Sequence, residues 1–202
     1  FTPYHAVAWP MGTGKEPTAL AYGKQGLLYV AYRGDDACKV QRVGPSEEAK
    51  TVFGPEGTCT DAYRPTALAI LPPDDREQLY IATWDEGNKY ARLYRSDNPA
   101  PLLQDTEKIS EITALARDPD KSDMLYLLRR DGSLSRLKID GSRVTNIPCK
   151  TDGTMEPPIP TLKTPRALAL QNVSGQLYAF VANTGKNSID ALEMTVTNDE
   201  KG

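Results

Sequence analysis

The chain has 202 residues, with 24 basic and 27 acidic side chains, one histidine and a formal net charge of −3. Such a balance offers no basic field for a phosphate backbone, so nucleic acid is not an expected partner. No apolar run approaches the ~20 residues of a membrane-crossing helix, so no membrane insertion is expected, and the length suits one domain, residues 1–202, with one substantial core.

The opening segment FTPYHAVAWP has neither an initiator Met nor a charged-then-apolar leader, which reads as a processed or trimmed product and is compatible with secretion. Within it, Tyr4 to Trp9 has strand character and belongs to no later pattern. Gly12 to Lys15, GTGK, ends like a phosphate loop. However, Trp9 and Glu16 stand where that loop needs a Gly and a Ser or Thr, so it reads as a turn.

From Pro17 the chain repeats itself. PTALA begins at Pro17 and again at Pro65, ITALA at Ile112 and PRALA at Pro165, with starts 48, 47 and 53 residues apart. Each is followed by a turn-rich stretch and then by a Leu-Tyr pair: Leu28-Tyr29, Leu79-Tyr80, Leu125-Tyr126 and Leu177-Tyr178. A third segment follows: KVQRV (39–43), YARLY (90–94), SLSRLKI (133–139) and SIDALEM (188–194), the first three with an Arg near the centre. Outer segments at 49–54, 100–105 and 143–148 complete three units, whereas the fourth runs into the polar tail TVTNDEKG. Period-two alternation in short runs separated by turn residues predicts β-strands. Four strands in a repeat of about 50 residues is the signature of a propeller blade.

The expected fold is therefore all-β, a four-bladed β-propeller with blades over roughly 16–54, 64–105, 111–149 and 164–195. Residues 4–9 are expected to pair with the last blade and close the ring, which would protect open strand edges. The alternative is a fragment of a larger propeller. In this frame Tyr29, Tyr80, Tyr126 and Tyr178 are expected to pack between blades, and Arg42, Arg92 and Arg136 to hydrogen-bond between them. The expected ligand-binding set is the second residue of each innermost strand: Thr18, Thr66, Thr113 and Arg166. Equivalent positions converge near the axis, and three hydroxyls with one guanidinium suit a small anion or ligand.

Other candidates are weaker. Cys38, Cys59 and Cys149 show no CxxC spacing, which disfavours structural zinc. Cys38 and Cys59 are the disulfide candidate, a closure that would stabilise the fold by roughly 3 kcal/mol; three buried thiols are the alternative. Asn172-Val173-Ser174 is a glycosylation candidate in an expected turn. The run from Asp118 to Asp123 opens like a calcium loop but has Asp123 and Arg129 where Gly and Glu are needed, so no metal is expected. His5 alone cannot build a metal cluster, and no Gly-x-Ser-x-Gly elbow occurs. No catalytic residue and no cofactor are expected.

The first repeat, PTALAYGKQGLLYVAYRGDDACKVQRV, resembles the NHL-type repeat in its Pro, small-apolar strand, Gly turn, Tyr-Val-Ala strand and Arg-bearing strand. It departs from that pattern at Tyr22, Ile70, Arg117 and Leu170, where the family usually has Asp. The overall size is similar to the hemopexin-like fold. Both resemblances imply a protein that binds other proteins or small ligands. The functional expectation is a secreted, monomeric, non-enzymatic binding protein that engages a protein or glycan through loops on one face, with Tyr63, Trp84 and Tyr90 as anchors. The alternatives are a small-molecule or ion-binding propeller and a metal-dependent lactonase-like hydrolase. The latter needs Glu, Asn and Asp converging at the axis, which the TALA strands lack.

Overall fold

The computed structural model describes residues 16–23, 26–33, 38–44, 49–54, 64–71, 77–105, 110–140, 143–147 and 161–194. Fifteen strands occur among them and no α-helix. Sheet I is β1 (Glu16–Tyr22), β2 (Leu28–Arg33), β3 (Lys39–Val43) and β4 (Lys50–Phe53). Sheet II is β5 (Arg64–Leu71), β6 (Gln78–Asp85), β7 (Tyr90–Arg95) and β8 (Asn98–Asp105). Sheet III is β9 (Ile112–Arg117), β10 (Met124–Arg129), β11 (Leu134–Asp140) and β12 (Arg143–Ile147). Sheet IV has three strands among the described residues: β13 (Pro165–Val173), β14 (Gln176–Asn183) and β15 (Ser188–Met194). Every neighbouring pair is antiparallel and sequential, as the short turn-rich connections require. The β13–β14 hairpin turns at Ser174 (φ 54°) and Gly175 (φ 86°), two left-handed residues that match the twist of the strands they join.

Successive sheets meet through their first strands: β1 packs on β5, β5 on β9 and β9 on β13. The sequence explains which faces meet. On one face of sheet II stand Ala67, Ala69 and Ala82, with Tyr80 and Leu93 in cross-strand register; they pack against Ile112, Leu115, Leu125 and Leu127 of sheet III. The same small face of sheet I, with Ala19, Ala21 and Ala31, meets Leu68, Leu79 and Ile81 of sheet II. Ala114, Tyr126 and Leu128 of sheet III meet Leu168, Leu177 and Val181 of sheet IV. Small residues thus admit the bulky face of the next sheet, at the interdigitated density of protein interiors.

This stacking covers sheets II and III on both faces, so β6 and β10 are nearly continuously buried. In contrast β14 alternates strictly, because the described residues cover only one face of sheet IV. Among the described residues no comparable packing joins β13 back to β1. The contact that would close a ring of four is therefore not made by these strands, and residues 4–9, expected to close it, lie outside the described residues.

Three of the four recurring Tyr residues pack between sheets as expected, and Tyr178 does not among the described residues. Tyr80 and Tyr126 are buried between sheets, Tyr29 packs at the I–II boundary, and Tyr178 lies on the uncovered face of sheet IV. Of the three arginines expected to hydrogen-bond between blades, Arg92 meets Tyr90 and Asp85 of its own sheet. Arg42 is paired across the ladder with Tyr29 and Arg136 with Tyr126, and in sheet II the partner of Tyr80 is Arg95. These pairings lie within a sheet, not between sheets. YARLYR carries Arg on both faces, and only the strand register selects between them.

Burial pushes the phenols of Tyr29, Tyr32 and Tyr80 up, and pushes Tyr126 up to about 12, helped by the Asp118 carboxylate that its hydroxyl meets at 3.3 Å. A raised phenol supports the fold fully below its unfolded value near 10 and loses that support as pH rises through its folded value. A spectrophotometric alkaline titration is therefore expected to show these tyrosines ionising late, with Tyr126→Phe removing the latest step.

Candidate functional site

The four expected ligand residues share one backbone feature. In sheets I, II and IV the register slips between Pro17 and Ala19, Pro65 and Ala67, and Pro165 and Ala167; in sheet III it slips between Ile112 and Ala114. Thr18, Thr66, Thr113 and Arg166 are the extra residues of four equivalent β-bulges. A bulged residue leaves the ladder and its side chain is re-aimed, a device common beside binding sites. All four line a single cavity of about 500 Å³ at the start of the inner strands.

The threonines also hold the sheets together. Thr18 Oγ1 donates to Pro65 O at 2.9 Å and Thr66 Oγ1 to Ile112 O at 2.6 Å, each reaching the next sheet. Thr113 Oγ1 donates to Leu128 O of its own sheet at 3.3 Å. With their protons committed to backbone, these hydroxyls can offer a ligand only lone pairs. Donors must come from the arginines.

Sequence reasoning missed most of these. Besides Arg166 the mouth carries Arg33, Arg64 and Arg130, with Glu86 and Glu111 as its only carboxylates among the described residues. Both acids are engaged. Glu111 accepts from Arg130 at 3.3 Å, and Glu86 accepts from Lys89 Nζ at 2.5 Å and Trp84 Nε1 at 2.6 Å. Those two bonds hold the Glu86 carboxyl below its usual range. Arg33 and Arg166 are exposed and have no carboxylate partner among the described residues. The rim is cationic on a chain of net negative charge. The missed residues stand at strand ends next to the repeat, where sequence alone shows only turn-like charge.

The anchor candidates divide. Trp84 lines the mouth, half-buried, its indole N–H fixed by Glu86. Tyr90 is occupied elsewhere: its hydroxyl accepts from Arg92 at 2.6 Å and the guanidinium lies 4.5 Å from its ring centre. Tyr63 lies outside the described residues, as do Cys59, Cys149 and His5. Cys38 is buried. Asn172 lies in the last turn of ladder before the Ser174-Gly175 hairpin, where its Nδ2 donates to Asp120 and its Oδ1 accepts from Gly175 N. The Asp118 carboxylate is taken up by its own turn, accepting from the N–H groups of Asp120 (2.9 Å) and Lys121 (3.2 Å). No metal-ligating cluster of His, Cys, Asp and Glu occurs among the described residues.

No protein-family profile matches the chain, and no curated protein matches it. Among solved structures it is similar to a chain of the mitotic checkpoint complex, at 14% identity and a TM-score of 0.60, over 89% of this chain and 51% of that one. It is similar to the computationally designed Ika4 protein, at 12% identity and a TM-score of 0.53, over 96% of this chain and 100% of that one. A structural-genomics protein of unknown function from Bacteroides thetaiotaomicron matches at 16% identity and a TM-score of 0.52, over 89% of this chain and 43% of that one. The chain thus spans about half the length of the first and less than half of the third. At these identities the likeness is one of fold, and the chain has a propeller-like all-β fold.

Proposed function

We propose that the chain is a non-enzymatic binding protein whose mouth, ringed by the four bulge residues, takes an acidic segment of a partner protein. One observation carries the reading: Arg33 and Arg166, from the first and last sheets, line the same cavity without carboxylate partners among the described residues. A guanidinium presents two parallel N–H groups to a carboxylate, a geometry lysine cannot offer. Trp84 beside them supplies an apolar wall of the kind that anchors interfaces. The fold fits this role, since propeller-like scaffolds hold loops rigidly around an axis. A hydrolytic reading finds less support, because Glu86 and Glu111 already serve cations and the indole.

The sheets are read as four consecutive blades. Their end faces, which no described residue covers, favour an open arc over a ring closed on itself. A Cys38–Cys59 bond and an extracellular location are part of the proposal. The burial of Cys38 supports the bond, as does Gly54, where φ is 103° and any Cβ would collide with the Cys38 carbonyl oxygen. The chain leading to Cys59 therefore starts beside Cys38. Mass measurement before and after reduction checks the bond.

The test is titration of the chain with a glutamate-rich peptide at low ionic strength, followed by Trp84 fluorescence in a Trp9→Phe background. Saturable binding that falls about tenfold or more in Arg33→Ala and in Arg166→Ala is expected, the order of one charge-assisted hydrogen bond. Binding that the double variant leaves unchanged would remove the mouth from the account. Saturation by a neutral oligosaccharide and not by the peptide would favour a glycan.

A further inference from the structure

We propose that the outer face of sheet IV is a docking surface for sheet I of a second copy of this chain. Three internal boundaries establish what this face is built to meet. On sheets I, II and III the small face, with two Ala residues on the first strand and a Tyr on the second, is covered by the bulky face of the following sheet. Sheet IV carries the same set: Ala167 and Ala169 on β13, then Tyr178, Phe180 and Ala182 in register on β14. Nothing among the described residues packs there. Ile189, which pairs with Ala182, is 77% exposed, whereas Leu93, which pairs with the equivalent Ala82, is fully buried.

The complement is present at the other end of the same chain. Leu20 and Tyr22 stand on the bulky face of β1 and are 61% and 74% exposed, while Leu68 and Leu115, at the position of Leu20 in the next two repeats, are 6% and 7% exposed. One chain thus displays both halves of a contact that it makes three times internally. Exposed aliphatic surface of this kind is what association removes from water. A second copy supplies the missing half at both ends, its sheet I on the first copy's sheet IV and the reverse, giving two identical contacts about a two-fold axis.

The experiment uses the 202-residue chain in sedimentation equilibrium, with Ile189→Asp and Leu20→Asp variants whose folding is verified by circular dichroism. Both positions are exposed, so neither substitution disturbs a packed core. The parent is expected to sediment as a dimer, and each variant alone is expected to associate at least tenfold more weakly. An equimolar mixture of the two variants is expected to regain dimer, because the mixed pair keeps one contact free of either Asp. A monomeric parent at high micromolar concentration overturns the proposal. So does a dimer that Leu20→Asp leaves intact, or a mixture no more associated than its components; both would place the contact between two copies of one face. These outcomes are independent of whether the mouth binds the acidic peptide.

Discussion

Leu93→Ala is expected to cost about 2–5 kcal/mol of unfolding free energy, the range for truncating a fully buried leucine. Leu93 is 0% exposed on β7 and belongs to the cluster that joins sheets II and III, packing with Ala82 and Ala91 against the aliphatic face of β10. Across the ladders on sheet II it faces Ala82 on one side and Leu103 on the other, with Ala91 beside it on β7; the alanines have no length with which to refill the space. Leu103 alone can lean toward the gap, so part of the cavity should persist and the cost should fall within that range. For a chain of this size each kcal/mol lowers the melting temperature by roughly 2–4 °C, so a fall on the order of 10 °C is expected in a thermal scan. A loss below about 1 kcal/mol would mean that the site collapses without penalty, which is incompatible with the II–III boundary described above.

Asp85→Ala is expected to cost about 3 kcal/mol, the order found when one member of a buried ion pair is removed. Asp85 closes the β6–β7 turn: its carboxylate accepts from Asn88 N and Asn88 Nδ2, each at 2.9 Å, and meets Arg92 Nη1 at 3.1 Å. Burial alone would push this carboxyl up. The Asn88 hydrogen bonds and the Arg92 guanidinium outweigh burial and hold it below its ordinary value. A depressed carboxyl contributes stability above its unfolded value near 4, and that contribution is lost as pH falls through the folded value. The parent should therefore lose stability below about pH 4, and Asp85→Asn should show a shallower slope over that interval in urea titrations. Equal slopes would show that Asp85 is not an ionised partner of Arg92 in the fold.

The strands were legible because the repeat supplies four copies of one alternation, and the copies constrain one another. KVQRV and SIDALEM coincide with β3 and β15 residue for residue. The convergence of Thr18, Thr66, Thr113 and Arg166 was legible for the same reason, since equivalent positions in a repeated sheet meet wherever the sheets do. That Arg95 stands opposite Tyr80 was not legible, because it depends on register and both faces of β7 carry Arg. Nor were Arg33, Glu111 and Arg130, whose roles arise from the end of one strand lying beside the start of another. Tyr90 looked like an anchor because sequence does not reveal that Arg92, two residues on, already occupies its hydroxyl and ring.

The four register slips separate what the rim says from what the walls need. A side chain outside the ladder can change identity while the strands on either side keep their pairing, so chemistry at the mouth is decoupled from the scaffold. At 18 and 66 that freedom is limited by a hydroxyl that latches the neighbouring sheet. At 166 no such latch occurs among the described residues, and this is the copy in which the sequence departs from Thr. A selection for new ligands should therefore begin at that single codon.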